Sequence, residues 1–131
     1  MNAPAEPTPR RHGLLKSFYY AFAGIGFLFR TQRNARIELI IGILACGLAW
    51  WLKITRAEWG VLLLTIACVL ILEGINTAVE AAVDLASPQI HPLAKTAKDV
   101  AAGMVLIAAI ASVGVGLIIL GPPLWAALHS H

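Results

Sequence analysis

The sequence has little charge and only two cysteines. Charged residues make up 13% of its 131 residues, whereas 59% are hydrophobic. About a quarter of the residues in a typical soluble domain are charged, so this composition excludes an ordinary soluble domain. Cys46 and Cys68 each lie inside an apolar run, which is typical of small hydrophobic side chains and argues against a disulfide or a cysteine metal site.

Familiar nucleotide-binding motifs are also missing. The sequence contains no Walker A glycine loop and no set of protein-kinase motifs, which excludes the two common soluble nucleotide-binding folds. Because these motifs are missing, any chemistry on a nucleotide must depend on a different arrangement of residues. The sequence also has no internal repeat.

Long apolar runs, by contrast, are abundant. A bilayer core requires about 20 apolar residues per helix, and three segments of this chain satisfy that requirement. We predict an all-α membrane protein whose three transmembrane helices cover about 36–53, 58–84 and 98–120. Together the three spans account for most of the chain and leave no room for a second domain.

Prolines mark the ends of these spans. The third span is followed by Gly121-Pro122-Pro123, so we expect the helix to end there. The segment 85–97 contains Pro88 and Pro92, and we interpret it as a turn between the second and third spans.

The segment before the first span predicts a surface helix at 15–30. Its large apolar residues recur at i, i+4, i+7 and i+11, which places them on one face of an amphipathic helix lying on the membrane: Phe18, Phe22, Ile25 and Phe29. Residues 1–13 are rich in proline and are expected to form a disordered cytoplasmic tail. Residues 14–131 are then a single membrane domain.

Basic residues are divided unevenly between the two sides of the membrane. The N-terminal region and the loop between the second and third spans together carry eight Lys and Arg residues, against two in the other loop. The positive-inside rule therefore places the N-terminus in the cytoplasm. The four tryptophans fall at the predicted outer ends of the spans, where an aromatic belt is expected: Trp50, Trp51, Trp59 and Trp125.

One face of the second span carries a stripe of polar residues. They are spaced i, i+3, i+7 and i+11 and are Glu73, Asn76, Glu80 and Asp84. At 100° per residue they fall within roughly an 80° arc of the helix. Carboxylates at membrane depth are costly, so this acidic stripe predicts a functional site.

The acidic stripe runs from the cytoplasmic end of the span toward the membrane interior. Glu73 lies about 16 Å deeper than Asp84 at 1.5 Å per residue, and Lys98 and Asp99 return to the level of Asp84 after the turn. Carboxylates suit a hard cation such as Mg²⁺, a lysine can meet phosphate, and a deep Glu can accept a proton from a lipid hydroxyl. The residues favour phosphoryl transfer from a nucleotide to a membrane alcohol. A proton or cation pathway and a purely structural bundle are the alternatives.

Two motifs in this region resemble a known family. They are Glu73-Gly-Ile-Asn76-Thr-Ala-Val-Glu80-Ala-Ala-Val-Asp84 and, downstream, His91-Pro-Leu-Ala-Lys-Thr-Ala-Lys98-Asp99. Both are similar to the signature of the small bacterial integral-membrane diacylglycerol kinases and undecaprenol kinases. The resemblance covers roughly residues 14–120, with a surface helix and three spans in the expected order.

The resemblance implies an ATP-dependent lipid kinase of the bacterial inner membrane. It implies a homotrimer with active sites shared between chains, Mg²⁺ as cofactor, a lipid alcohol as acceptor and no nucleic-acid partner. By motif position, Glu73 is the general base and Glu80 a metal ligand. Further residues are implied to contact or support the nucleotide site: Tyr20, Asn76, Gln89, Ile90, His91, Lys98 and Asp99.

The chain departs from the family pattern at Gln32. Many members have a Glu at this place as the second metal-binding carboxylate, and we expect the amide oxygen of Gln32 to serve instead, together with ATP. Glu38 is an alternative ligand. The acceptor implied is diacylglycerol or undecaprenol, and the residues His91-Pro-Leu-Ala-Lys resemble the undecaprenol kinase branch more closely.

Overall fold

The computed structural model describes residues 13–130, and the regular secondary structure in this range is all helical. The helices are α1 (Leu14–Thr31), α2 (Arg33–Leu52), α3 (Arg56–Ala86) and α4 (Pro92–His129). The expected all-α architecture is therefore confirmed. Most of the predicted N-terminal tail, residues 1–12, lies outside the described residues.

Three of the helices are long and apolar enough to cross a membrane, namely α2, α3 and α4. Large apolar side chains remain exposed along all three, as expected where lipid is the surrounding solvent; examples are Leu44, Leu64, Ile71, Ile110 and Leu117. The helix α1 occupies the place of the predicted surface helix, and its position on the membrane surface stays a prediction.

Small residues allow the helices to pack closely. The most extensive contact is between α3 and α4, and α2 packs mainly on α3. Ala35 and Ala49 of α2 are fully buried, and at Gly42 an added Cβ would lie only 2.9 Å from Cγ2 of Ile66 on α3. Van der Waals contact through small residues is the usual way in which membrane helices associate.

The connection between α2 and α3 is held by a capping box. The Thr55 hydroxyl accepts a hydrogen bond from the backbone N–H of Glu58 (3.2 Å), and the Glu58 carboxylate accepts one from the N–H of Thr55 (2.8 Å). Near this end the core gathers residues of all three long helices: Ala49, Leu62, Ile119 and Leu120. This packing fixes α4 against the α2–α3 pair.

The turn between α3 and α4 is shorter than the sequence predicted. It spans residues 87–91 and not 85–97, because Pro92 begins α4 where it was expected to prevent a helix. Proline is favoured in the first helical turn, where its missing N–H would have no partner. The side chain of His91 caps α4, its Nδ1 accepting a hydrogen bond from the N–H of Leu93 at 3.1 Å.

The helix α4 also extends past the end that Gly121-Pro122-Pro123 predicted. It continues through both prolines to His129, so the helix is longer than the expected span at both ends. Membrane helices tolerate proline more readily than soluble helices, because neighbouring groups compensate for the lost hydrogen bonds. The last turn is closed by the ring of His129, which stacks on Trp125 at 4.0 Å and bonds to its carbonyl oxygen.

Candidate active site

The acidic stripe lies on α3, and its deepest member is the most enclosed. Glu73 is 3% exposed, which makes it the one buried charged residue among residues 13–130. Its backbone carbonyl accepts a hydrogen bond from the Thr77 hydroxyl at 2.9 Å. A carboxylate at this depth is costly to bury, so its position favours a functional role over a packing role.

Two further members of the stripe contact each other directly. Nδ2 of Asn76 donates a hydrogen bond to Oε1 of Glu80 at 3.1 Å, and both side chains are half-buried. Asparagine four residues before a glutamate lies on the same helix face, which is why the two meet. Asn76 therefore orients the carboxylate of Glu80.

Two oxygen atoms in this region are buried without a hydrogen-bond partner in the described part of the chain. They are Oδ1 of Asn76 and Oε2 of Glu38 on α2. Native proteins rarely leave buried acceptors unsatisfied, so a bound cation or a hydrogen-bond donor from a ligand is the expected complement.

A cleft of about 310 Å³ opens where α3 ends and α4 begins. Nζ of Lys98 donates a hydrogen bond across it to Oδ1 of Asp84. The cleft brings together most of the residues expected to contact nucleotide in this part of the chain, together with two charged residues: Asp84, Gln89, Ile90, His91, Lys95 and Lys98. We call it the α3–α4 cleft.

The structure separates Asp99 from this group. Asp99 does not line the α3–α4 cleft; its carboxylate pairs with Lys95 one turn earlier on α4, at 2.5 Å. Both side chains are largely exposed, 61% for Asp99 and 77% for Lys95. In this arrangement Asp99 anchors Lys95, and Lys98 alone of the Lys98-Asp99 pair faces the cleft.

Tyr20 and Gln32 lie outside the cleft lining as well. Tyr20 is an exposed residue of α1 whose ring makes an edge contact with Tyr19, with centroids 5.7 Å apart. Gln32 is the half-buried residue between α1 and α2. The helix α1 approaches the acidic stripe through Leu28, since a Cβ added at Gly74 would lie 3.7 Å from its Cδ2.

A second depression is apolar. It has a volume of about 420 Å³ and runs between α3 and α4, deeper than the α3–α4 cleft. Asn76 is its polar residue, and the rest of its lining is hydrocarbon: Leu72, Ile75, Val79, Ala97, Val100, Ala101 and Met104. We call it the apolar groove. Its dimensions and lining suit a lipid chain that ends beside the acidic stripe.

The donor set fits Mg²⁺ in its chemistry. Of the two ligands that the family resemblance implies, Glu80 would offer a carboxylate and Gln32 an amide oxygen, and Mg²⁺ is usually bound by one or two protein oxygen ligands together with substrate phosphates. Within residues 13–130 no group of three His, Cys, Asp or Glu side chains gathers tightly enough to hold a metal ion. The residues therefore suit a metal that arrives with a nucleotide better than a closed protein cage.

Sequence reasoning missed the partners of these residues. Neither the Asp84–Lys98 contact nor the Lys95–Asp99 pair was predicted, although the second has the i, i+4 spacing of helical ion pairs. Arg36 was also missed. Its Nη1 donates to the carbonyl oxygens of Phe29 at 3.3 Å and Arg30 at 3.1 Å. Nothing in the sequence signals a contact between a side chain and backbone carbonyls of another helix.

Comparisons with known proteins agree with the motifs. A model of the family "Prokaryotic diacylglycerol kinase" matches residues 19–120. The chain is 51% identical over 112 residues to the diacylglycerol kinase of Synechocystis, covering 85% of this chain and 64% of that protein. It is 42% identical over 111 residues to the undecaprenol kinase of Bacillus subtilis, covering 83% and 89%. The diacylglycerol kinase of Escherichia coli is 31% identical over 100 residues, covering 76% and 82%.

These matches confirm the resemblance that the motifs indicated. The chain spans 64% of the length of the Synechocystis relative, and most of the length of the other two. The matched segment contains the acidic stripe, the α3–α4 cleft and all three helices that can cross a membrane, apart from the last residues of α4. This chain is a membrane protein and belongs to the prokaryotic diacylglycerol kinase family, a family of lipid kinases.

Proposed function

We propose that this protein transfers the γ-phosphate of ATP to the primary hydroxyl of a membrane lipid. Diacylglycerol and undecaprenol are the two proposed acceptors, since the relatives are named diacylglycerol kinase and undecaprenol kinase. The observation that carries the proposal is the burial of Glu73, 3% exposed, beside the Asn76–Glu80 pair. A buried acid next to a polar pair at lipid depth suits proton abstraction from a lipid alcohol.

Glu73 is proposed as the general base. Its carboxylate accepts the proton of the lipid hydroxyl while the lipid oxygen forms a bond to the γ-phosphorus and the bond between that phosphorus and the β–γ bridging oxygen breaks. ADP leaves with the electron pair of the broken bond. The protein forms no covalent bond to the phosphoryl group in this reaction, so positioning and charge stabilisation supply most of the rate enhancement.

The nucleotide is proposed to occupy the α3–α4 cleft. Lys98 faces it, and the loop residues Gln89, Ile90 and His91 line it. When nucleotide binds, Lys98 gives up its hydrogen bond to Asp84 and donates to phosphate oxygens instead, because a phosphate carries more negative charge than one carboxylate. Tyr20 and Asp99 are proposed to contact the nucleotide from outside this lining, as the family resemblance implies.

Glu80 and Gln32 are proposed to hold the metal. Asn76 supports this assignment, since its amide fixes the Glu80 carboxylate at 3.1 Å. When bound, Mg²⁺ would neutralise the charge that develops on the transferring phosphoryl group. Gln32 brings an amide oxygen where a carboxylate is usual in the family, so fewer protein charges balance the metal.

The lipid is proposed to enter through the apolar groove. Its hydrocarbon lining accepts an acyl or prenyl chain, and Asn76 at its wall places the headgroup near the acidic stripe. We also propose a homotrimer in the bacterial inner membrane with the N-terminus in the cytoplasm and active sites shared between chains. The unequal distribution of basic residues and the family resemblance support this arrangement.

The deciding experiment is a transfer assay with purified protein in detergent or liposomes. Labelled Mg-ATP is offered with diacylglycerol, undecaprenol and a lipid without a hydroxyl, and labelled lipid is measured. We expect transfer to at least one of the two alcohols and loss of transfer with Glu73→Gln. Ion conductance through liposomes without nucleotide, with no lipid labelled, would instead support the proton or cation pathway.

A further inference from the structure

A single residue joins α1 to α2. Gln32 has an extended backbone, φ −103° and ψ 109°, and it is both the C-cap of α1 and the N-cap of α2. Its side chain makes no capping hydrogen bond to α2. Helix N-termini are usually capped by a Ser, Thr, Asp or Asn side chain. The side-chain amide of Gln32 therefore does not bond to the start of α2. We define residues 31–33 as the elbow between the two helices, and another group fixes it.

Arg36, in the first turn of α2, is that group. Its Nη1 donates hydrogen bonds to the carbonyl oxygens of Phe29 at 3.3 Å and Arg30 at 3.1 Å. The last carbonyls of a helix have no partner within it and carry partial negative charge, so a cation there satisfies both hydrogen bonding and the helix dipole. One guanidinium thus ties the end of α1 to the start of α2.

The direction of α1 matters because this helix reaches the acidic stripe. Leu28, in the last turn of α1, approaches Gly74 on α3, and Gly74 follows Glu73 directly in the chain. The backbone N–H of Gln32 bonds to the carbonyl of the same Leu28 at 2.8 Å. A change in the angle of the elbow would therefore shift Gln32 relative to α3.

We propose that Arg36 is a positioning residue that acts through Gln32. By fastening the two helices, Arg36 fixes the direction in which the Gln32 amide leaves the elbow, and so places this neutral ligand beside Glu80 in the metal-nucleotide site. The proposal rests on the proposed function, which assigns the ligand role to Gln32. An amide ligand contributes no net charge, so its affinity for the metal depends strongly on preorganisation.

The kinetic test compares Arg36→Ala with Arg33→Ala in the full-length protein. Arg33 begins the same helix, is exposed, and has no hydrogen bond or ion pair through its side chain among residues 13–130, so its loss removes the same charge while the hydrogen bonds from Arg36 to α1 stay in place. We expect Arg36→Ala to raise the KM for Mg-ATP about tenfold, as when a hydrogen bond to a charged group is lost, with the lipid KM unchanged. Arg36→Lys should recover part of this effect, because lysine keeps the charge but lacks the planar fork. Equal effects of the Ala variants at 33 and 36 would overturn the proposal.

A double-mutant cycle tests whether Arg36 acts through Gln32. In a Gln32→Ala background, Arg36→Ala should add nothing to the KM for Mg-ATP, because the positioned ligand is already gone. Fully additive effects would overturn the proposed pathway.

Hydrogen exchange without nucleotide separates this proposal from the proposed function. Arg36→Ala should accelerate hydrogen exchange at the backbone N–H of Gln32, whereas Arg33→Ala should not. An unchanged exchange rate in Arg36→Ala would contradict the claim that Arg36 fastens α1 to α2. If Gln32→Ala leaves the KM for Mg-ATP unchanged while Arg36→Ala still accelerates exchange, Gln32 is not a metal ligand. The role of Arg36 in fastening the elbow would then still stand.

Discussion

Lys98 on α4 donates a hydrogen bond to Asp84 on α3, fourteen positions earlier in the chain. This contact joins the two motifs that carry the family resemblance, since Asp84 ends the first and Lys98 lies in the second. It also holds Lys98 at the mouth of the α3–α4 cleft. Asp84 thereby gains a role beyond that of a residue at the end of a helix.

Asp84→Asn should affect nucleotide binding more than stability. The side chains of Lys98 and Asp84 are 38% and 66% exposed, and an ion pair this accessible contributes about 0–1 kcal/mol. The free energy of unfolding should therefore change little, while Lys98 loses the group that orients it and the KM for Mg-ATP rises. Arg56→Gln, at the opposite end of α3, is the control. An unchanged KM in Asp84→Asn would show that the contact does not prepare the cleft.

Glu73→Gln should abolish transfer without loss of folding. A positioned general base contributes roughly 100- to 10,000-fold to the rate, and glutamine cannot accept the proton. Stability should be maintained or increased, because a neutral amide costs less to bury than a carboxylate. Turnover of labelled ATP and thermal unfolding in detergent measure the two effects. Glu58→Gln is the isosteric control, since a capping box functions with either Glu or Gln. Activity retained in Glu73→Gln would remove the base assignment.

Gln32→Glu should lower the Mg²⁺ concentration required for half-maximal activity. The substitution restores a carboxylate at the elbow, and a second negative ligand binds a divalent cation more tightly than an amide. Titration of activity with Mg²⁺ at fixed ATP gives the measurement. Asn34→Asp places the same charge two residues further on, at an exposed position of α2. If both variants shift the titration equally, the effect is one of general surface charge and Gln32 is not a ligand.

Gly42→Ala should destabilise the protein, whereas Gly47→Ala should not. A Cβ at Gly42 would lie 2.9 Å from Cγ2 of Ile66, a methyl group on a β-branched side chain whose χ1 torsion is restricted in a helix, while a Cβ at Gly47 meets nothing within 4 Å. Overpacking of this kind costs typically about 1–3 kcal/mol. Both changes remove a glycine from the interior of α2, so their effects on helix propensity cancel in the comparison. Equal unfolding temperatures would contradict the close packing of α2 on α3.

The hydrophobic pattern was sufficient to predict the membrane helices, and the motifs were sufficient to predict the family. The runs that became α2, α3 and α4 are apolar over a bilayer's thickness, and only a helix satisfies its own backbone hydrogen bonds in lipid. The i, i+3, i+7 spacing of Glu73, Asn76 and Glu80 likewise fixed which side chains share a face, because helical periodicity is a local property. The helix ends were less predictable: Pro92 begins α4 and the prolines near its far end do not stop it.

Only the tertiary structure decided which of these residues meet. The contact of Asp84 with Lys98 depends on how α3 and α4 are placed. The pairs of Asp99 with Lys95 and of Arg36 with the last carbonyls of α1 join residues near in sequence, and the folded structure decided which of the available partners each side chain takes. The sequence by itself determined a helical membrane protein with an acid stripe on one helix face, since hydropathy and periodicity act over neighbouring residues. The burial of Glu73 required the packed fold, because it arises from contacts between helices distant along the chain, whereas the hydrogen bonds of Arg36 at the elbow join residues six and seven positions apart.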